Sequence, residues 1–295
     1  MELRHIRYFL AVAQEKNFTR AAEKLCIAQP PLSRQMKDLE EELGAELFIR
    51  KARGLQLTEA GKHFYEYATQ ILDLTEKSTA EIKNLEKGLQ GTLYVASVEG
   101  CAPSLVSKWI SGFHELYPNV QFSIWNGNSD DVLARVQNGL DDIGIIVAPY
   151  NPEGFKGLVV ANEPWVAMIP PGHPLMKETK DVVPLKKLAP YDLVVPSRAS
   201  RVSEIEEWFK GINEKPHIIG RMAHVLNAYE LALSNVGITI YPAAAGKYAH
   251  SDIGIRKIIE PEITASYVMI HSADRQLSVV AGEFWDYVSK QYKQF

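Results

Sequence analysis

Phe18-Thr19-Arg20-Ala21-Ala22-Glu23-Lys24-Leu25, then Cys26-Ile27-Ala28, then Gln29-Pro30-Pro31-Leu32-Ser33-Arg34-Gln35-Met36 carries the sharpest structural signal in the chain. The first segment has Ala21, Ala22 and Leu25 on one face, so it reads as a short helix from about Thr19 to Leu25. Cys26-Ile27-Ala28 is the turn that leads into a helix from about Gln29 to Leu43. Pro30 and Pro31 suit a first helical turn, where a missing N–H costs little. Leu32, Met36, Leu39 and Leu43 recur at helical spacing and mark the inward stripe. Upstream, Leu3, Ile6, Phe9, Leu10 and Ala13 trace the apolar face of a preceding helix. The small pair Ala21-Ala22 lets two helices cross closely at a steep angle, as in a helix-turn-helix.

The other face of the Gln29–Leu43 helix is polar. Gln29 offers the two-point hydrogen bonding that suits an adenine edge, Arg34 the fork that suits guanine, and Ser33 and Lys37 suit phosphates. Pro30 and Pro31 add apolar surface for a thymine methyl, and Thr19 joins the candidate DNA-contacting set. Leu47-Phe48-Ile49-Arg50 and Leu55-Gln56-Leu57-Thr58 read as two strands around a basic turn, Lys51-Ala52-Arg53-Gly54. That hairpin is a wing, with Arg50 and Lys51 near the backbone and Arg53 directed at a minor groove. A helical bundle with a solvated basic face would explain any one of these residues. It does not explain the periodicity, turn, prolines and wing together.

Quoted in order, Phe18 to Leu25, Ala28 to Met36, Leu39-Glu40-Glu41-Glu42-Leu43-Gly44, Leu47-Phe48-Ile49-Arg50 and Leu57-Thr58-Glu59-Ala60-Gly61 resemble the N-terminal signature of LysR-type transcriptional regulators. The match is dense over residues 1–65, and the Pro30-Pro31 pair is similar to members that control aromatic-acid catabolism. The resemblance implies base contacts from the start of the third helix and phosphate contacts around Ser33 and Arg34.

Residues 59–89 lack proline and keep glycine to the ends, at Gly61 and Gly88. Ala60, Phe64, Tyr67, Ile71, Leu74, Ser78, Ile82, Leu85 and Leu89 form a seam with a period near 3.5. A helix of about 30 residues spans roughly 45 Å, more than a small head covers. Its stripe needs a partner, most simply the same helix of a second copy; packing on its own C-terminal domain is the alternative. The resemblance implies the dimer, and beyond it a homotetramer.

From Thr92 strands and helices alternate, implying largely parallel sheets in two lobes joined by crossing strands. Looser motifs, Gly139-Leu140-Asp141-Asp142-Ile143-Gly144-Ile145, His173-Pro174-Leu175 and Val236-Gly237-Ile238-Thr239-Ile240-Tyr241-Pro242, resemble the effector domain of the same family. The expected architecture is therefore a winged helix-turn-helix over 1–58, a dimerising linker helix over 59–90 and an α/β, two-lobed, periplasmic-binding-protein-like effector domain over 91–295. Lobe 1 takes about 91–161 and 266–295, and lobe 2 about 162–265. Ligands collect outside the carboxyl ends of strands in such sheets. The cleft candidates on one side are Ser97, Val98, Glu99, Gly100, Cys101, Asn126, Asn128, Ser129 and Val147. Facing them are Pro196, Ser197, Arg198, Ser200, His224, Val225 and Tyr241. Hydroxyls and helix N-termini favour an anion such as a carboxylate, with Arg198 or Arg201 as a bidentate partner, and the resemblance implies a small organic or aromatic acid. Ser129 is also the expected N-cap of the helix it precedes. Glu99 is discordant: it faces away, or the effector bears a positive or hydrogen-bond-donating group.

Composition agrees with two unlike parts. The net charge is −4, yet residues 1–58 hold 10 Lys and Arg against 8 Asp and Glu, leaving 22 against 28 in the acidic remainder. The two cysteines support neither a disulfide framework nor a closed zinc site, and the first residues are charged where a secretory signal is apolar. The expected setting is the reducing cytoplasm. Cys101 reads as a small hydrophobe, since its neighbours do not lower a thiol pKa. No nucleophile elbow, phosphate loop or zinc-protease motif occurs, and no metal or cofactor is expected. The sequence reads as a DNA-binding regulator, not an enzyme, whose paired heads read a partly palindromic operator; the resemblance implies effector-dependent bending that alters RNA polymerase access. A small-molecule-binding module with a vestigial head, and an enzyme on the two-lobed body, are the competing readings.

Overall fold

The computed structural model describes residues 1–51, 54–84, 89–100, 102–243 and 252–292. It divides into two compact units, 1–86 and 87–295.

In the first unit, α1 (Leu3–Glu15), α2 (Phe18–Lys24) and α3 (Gln29–Leu43) are followed by β1 (Phe48–Lys51), β2 (Gly54–Leu57) and α4 (Glu59–Asn84). Asn17 caps α2, its Oδ1 accepting from the N–H groups of Thr19 at 2.8 Å and Arg20 at 3.1 Å. Gly44 ends α3 in the left-handed conformation. Ile6, Phe9, Leu10, Ala21, Ala22, Leu32, Met36, Leu39 and Leu47 form the core. Phe9 packs on Phe48 and Phe64, with ring centroids 5.3 and 4.7 Å apart. Leu3 and Leu43, expected on the buried stripes, are exposed because they stand at helix ends beyond the neighbouring helices.

β1 and β2 pair antiparallel, Phe48 opposite Leu57 and Lys51 opposite Gly54. Glu40 of α3 holds this hairpin, accepting from the N–H groups of Leu47 at 2.7 Å and Phe48 at 3.1 Å. Thr58 Oγ1 donates to the Glu46 carbonyl at 2.6 Å and accepts from the Gly61 N–H at 2.8 Å, capping α4.

The expected seam of α4 divides. Phe64, Tyr65, Ala68, Ile71 and Leu72 pack on the head core, so Ile71 belongs to the head. Tyr67, Leu74 and Ile82 are exposed, as are Ala60 and Ser78. Leu85 lies outside the described residues, and Leu89 packs against the core of the second unit.

The second unit is built on two sheets that share one strand. β3 (Gly91–Ser97), α5 (Ala102–Leu116), β4 (Val120–Asn126), α6 (Ser129–Asn138) and β5 (Ile143–Val147) make a parallel core, with β3 between β4 and β5. β6 (Phe155–Ile169) crosses from one lobe to the other. Its residues Phe155–Pro164 pair with β12 (Thr264–Ser272), which pairs in turn with β5, both antiparallel. Its residues Trp165–Ile169 enter the second sheet.

That sheet takes β8 (Asp192–Pro196), α8 (Ala199–Gly211), β9 (His217–Met222), α9 (Val225–Leu233) and β10 (Ile238–Pro242) in parallel strand order β10-β8-β9. α7 (Leu175–Glu178), β7 (Val182–Pro184) and β11 (Gly254–Ile259) complete the lobe, and α10 (Val279–Tyr292) returns to pack on β3 of the first lobe. The expectation of largely parallel sheets holds for the β3 and β8 groups. It fails along β6 and β12, which pair antiparallel with each other and with β5, β10 and β11 because the crossing strands run against the β-α-β units, while β10 and β11 keep parallel partners in β8 and β7. α7, β7 and β11 had no counterpart in the sequence reading; the first two are only four and three residues long.

Candidate functional site

The exposed side of the first unit is formed by α3 and the hairpin beside it. Gln29, Pro30, Ser33, Arg34 and Lys37 line one concave surface with Phe18, Phe48 and Leu55. Arg34, Pro30 and Pro31 are exposed, and Thr19 is exposed at the start of α2. The first turn of α3 has no side-chain cap. With Pro30 and Pro31 lacking N–H groups, few backbone donors remain there, so Gln29, Ser33 and Arg34 supply the hydrogen-bonding surface. Lys37 pairs with Glu41 one turn on, at 3.4 Å, both side chains in water. Arg53, and the side chains of Arg50 and Lys51, lie outside the described residues.

The second unit holds a cavity of about 80 Å³ between its lobes, where the carboxyl ends of β3 and β5 face those of β8, β9 and β10. Val98, Glu99, Asn128, Ser129 and Val147 line it from the first lobe, and Pro196, Ser197, Arg198, His224 and Tyr241 from the second. Cys101 lies outside the described residues. Five sequence candidates are not among the lining residues: Ser97, Gly100, Asn126, Ser200 and Val225. Ser97 is buried under the β3 end, where Asn126 Nδ2 donates to its Oγ at 2.9 Å. Gly100 has φ +90°, and a Cβ there would strike the hydroxyl of Tyr267. The N-cap of α6 is Asn128, whose Oδ1 accepts from Asp130 and Asp131 at 2.8 and 3.0 Å. Ser129, expected in that role, is one residue inside the helix. Its Oγ instead accepts from the Val147 N–H at 3.2 Å and ties α6 to the end of β5.

Three side chains cross the cleft. Glu99, from the first lobe, accepts the Val225 N–H at the start of α9 at 2.6 Å, and its other oxygen lies 3.2 Å from His224 Nδ1. Arg198, from the second, clasps Asp130 at 2.6–3.1 Å and reaches the carbonyls of Val147 and Pro149 at 3.4 and 3.3 Å. Arg201 donates to the Ala148 carbonyl and pairs with Glu204. It is 5% exposed, its guanidinium 5.4 Å from the centre of the Trp165 ring, and burial lowers its pKa despite Glu204. Arg198 is therefore engaged by Asp130, and Arg201 is the more deeply buried cation. Glu99 turns toward the second lobe, which settles its direction.

Sequence reading passed over Gly127, Trp165, Met222, Ala223 and Tyr267, all on the cavity wall. Trp165 and Tyr267 lie on the crossing strands β6 and β12, and Pro164, opposite Thr264, is the last β6 residue paired with β12 before Trp165 enters the second sheet. That proline was the available signal for a change of sheet. Trp165 is 1% exposed, and its indole Nε1–H has no hydrogen-bond acceptor among the described residues. Tyr241 is held protonated by burial first and by the nearby Glu99 carboxylate second, so its hydroxyl stays a neutral donor and acceptor.

A "LysR substrate binding domain" matches residues 86–293, and a "Bacterial regulatory helix-turn-helix protein, lysR family" matches residues 3–62. The chain belongs to the LysR family. The transcriptional regulator YnfL of Escherichia coli (strain K12) is 31% identical over 96% of each chain. BenM of Acinetobacter baylyi is 28% identical over 93% of this chain and 91% of its own. Among solved structures, CbnR, a LysR family transcriptional regulator, superposes with a TM-score of 0.82 at 25% identity over the full length of both chains. This LysR protein is thus a DNA-binding transcriptional regulator with an effector-binding domain, and the enzyme and vestigial-head readings fall away. Among the described residues no helix is long and apolar enough to cross a membrane.

Proposed function

We propose that this regulator reads its operator with Gln29, Pro30, Pro31, Ser33 and Arg34 of α3 in the major groove. Thr19 and Lys37 lie against phosphates, and the Arg50, Lys51, Arg53 wing flanks them. The supporting observation is the shared exposed surface of Gln29, Ser33, Arg34 and Lys37 beside the hairpin. A CbnR structure holds that protein in complex with its target DNA, and its fold matches this chain with a TM-score of 0.80 at 24% identity. Two copies pair along the exposed side of α4, and pairs associate into a tetramer in the cytoplasm, where effector binding changes operator bending and RNA polymerase access.

The effector is a small organic acid held between the lobes. The observation that carries this reading is the cavity itself. It gathers a buried guanidinium, an indole N–H without an acceptor, the Tyr241 and Ser197 hydroxyls and the start of α9. The guanidinium, the indole N–H and the helix start favour an acceptor-rich anion, to which the two hydroxyls can donate. Isothermal titration of the full-length protein with small carboxylates and matched amines tests it, with Trp165→Phe as control. Carboxylate binding that weakens in Trp165→Phe supports the cleft; binding unaffected by that change places the effector elsewhere.

A further inference from the structure

Resting on the cleft as the effector site, we propose that Glu99 is a built-in stand-in for the effector: its carboxylate occupies the anion seat at the start of α9, and an effector carboxylate takes that seat by displacing it. α9 spans Val225–Leu233 and has no cap from its own side chains, so its first N–H groups await an acceptor. Glu99 supplies one from the opposite lobe, Oε2 at 2.6 Å from the Val225 nitrogen and Oε1 at 3.2 Å from His224 Nδ1. Two oxygens set against two donors form a carboxylate-shaped seat, and Glu99 is the acidic residue on a wall that also holds Arg198, Arg201 and His224.

A second observation concerns a donor on the same wall that Glu99 does not satisfy. Trp165 Nε1, almost wholly buried on the same wall, has no acceptor. The short tether from the β3 end leaves the Glu99 carboxylate engaged at α9, whereas a free molecule seated there has further atoms to offer to Trp165, Ser197 and Tyr241. That difference is what drives the exchange, since a ligand shifts an equilibrium only by contacts made in one state and not the other. Glu99 then returns to water at the cleft rim, where its side chain is already 27% exposed. Without effector the lobes are strutted by a side chain of the protein; with effector the strut is the ligand, whose size sets their separation.

Hydrogen exchange on the full-length protein tests this at the amides of Val225 and Leu226. In wild type without ligand, the Val225 amide is protected. In Glu99→Ala it exchanges at least tenfold faster, and millimolar acetate, the smallest carboxylate probe, restores protection in a saturable way. Glu99→Gln, which keeps a neutral acceptor, binds acetate at least tenfold more tightly than wild type. If Glu99→Ala exposes the amide and acetate up to 100 mM does not re-protect it, Glu99 is a strut only and the inference is overturned. If methylamine binds wild type and loses affinity in both variants, Glu99 is itself a ligand for a cationic effector, which also overturns it. A carboxylate that quenches the fluorescence lost in Trp165→Phe while leaving Val225 exchange untouched keeps the cleft as effector site and removes only the exchange of seats.

Discussion

Gly61 shows what one residue decides in the head. A Cβ there would drive into the backbone carbonyl of Leu47, against which the start of α4 is pressed. Backbone cannot move aside as a side chain does. Gly61→Ala is expected to cost about 1–3 kcal/mol, the range for overpacking, read as a lower urea midpoint for the head. Arg34, exposed on α3, carries a different expectation. Arg34→Ala should weaken operator binding by about 1–3 kcal/mol while leaving the thermal midpoint unchanged. Affinity unchanged from wild type at both low and physiological salt would remove it from the interface. In the body, Trp165→Phe keeps an aromatic ring facing Trp208, whose centroid lies 5.1 Å from that of Trp165, but removes the indole N–H together with the pyrrole ring that carries it. Effector affinity should fall by about tenfold, one hydrogen bond's worth, while the void left by the smaller ring lowers the thermal midpoint as well.

At the scale of elements, α4 serves two partners. Its inner side closes the head core through Phe64, Ala68 and Ile71, while Tyr67 and Ile82 stand 64% and 66% exposed in the single chain. A charge at Ile71 would therefore damage the head as well as any helix pairing and would not separate the two. Tyr67→Glu and Ile82→Glu do separate them. Each places an ion in the proposed helix–helix contact, costing several kcal/mol where no partner compensates. Sedimentation at micromolar concentration should show smaller species, with the far-ultraviolet spectrum of the head unchanged. Intact assembly in both variants would place the dimer contact on another surface.

For the whole body, the lobes are held by pairs contributed from opposite sides of the cleft. Arg198→Ala removes the clasp on Asp130 and the carbonyls of Val147 and Pro149. The domain should open, seen as a larger radius of gyration in small-angle scattering, and the effector concentration for half-response should rise several-fold. Acid also acts on the body as a unit. Burial lowers the pKa of His173 and of His271, which meets Trp285 edge to face at 4.5 Å and bonds the Ser272 carbonyl. The folded protein thus holds these rings neutral, and the unfolded chain takes up their protons first. Stability is full above the unfolded histidine value of about 6.5 and declines as pH falls below it. Urea midpoints should drop between pH 7.5 and 5.5, and drop less in His271→Gln.

The head was legible because its information is local. Ala21-Ala22, the turn at Cys26, the paired prolines and the Leu32-Met36-Leu39 stripe lie within 20 residues, and helical periodicity places each on its face without reference to distant chain. The β-α-β order of the body was likewise readable, and with it the strand ends Val98, Glu99, Val147, Pro196 and Ser197 that open into the cleft. Tertiary structure alone decided three things. It selected Ser97 for burial and Asn128 for the cap, because one residue of shift at a strand or helix end exchanges the inward and outward roles. It brought Trp165 and Tyr267 under the cleft, because β6 and β12 pass between lobes and their neighbours come from chain about 100 residues away. And it set Glu99 and Arg198 on partners in the opposite lobe, since the partner of a charge depends on which surfaces meet, and no spacing along the chain encodes that meeting.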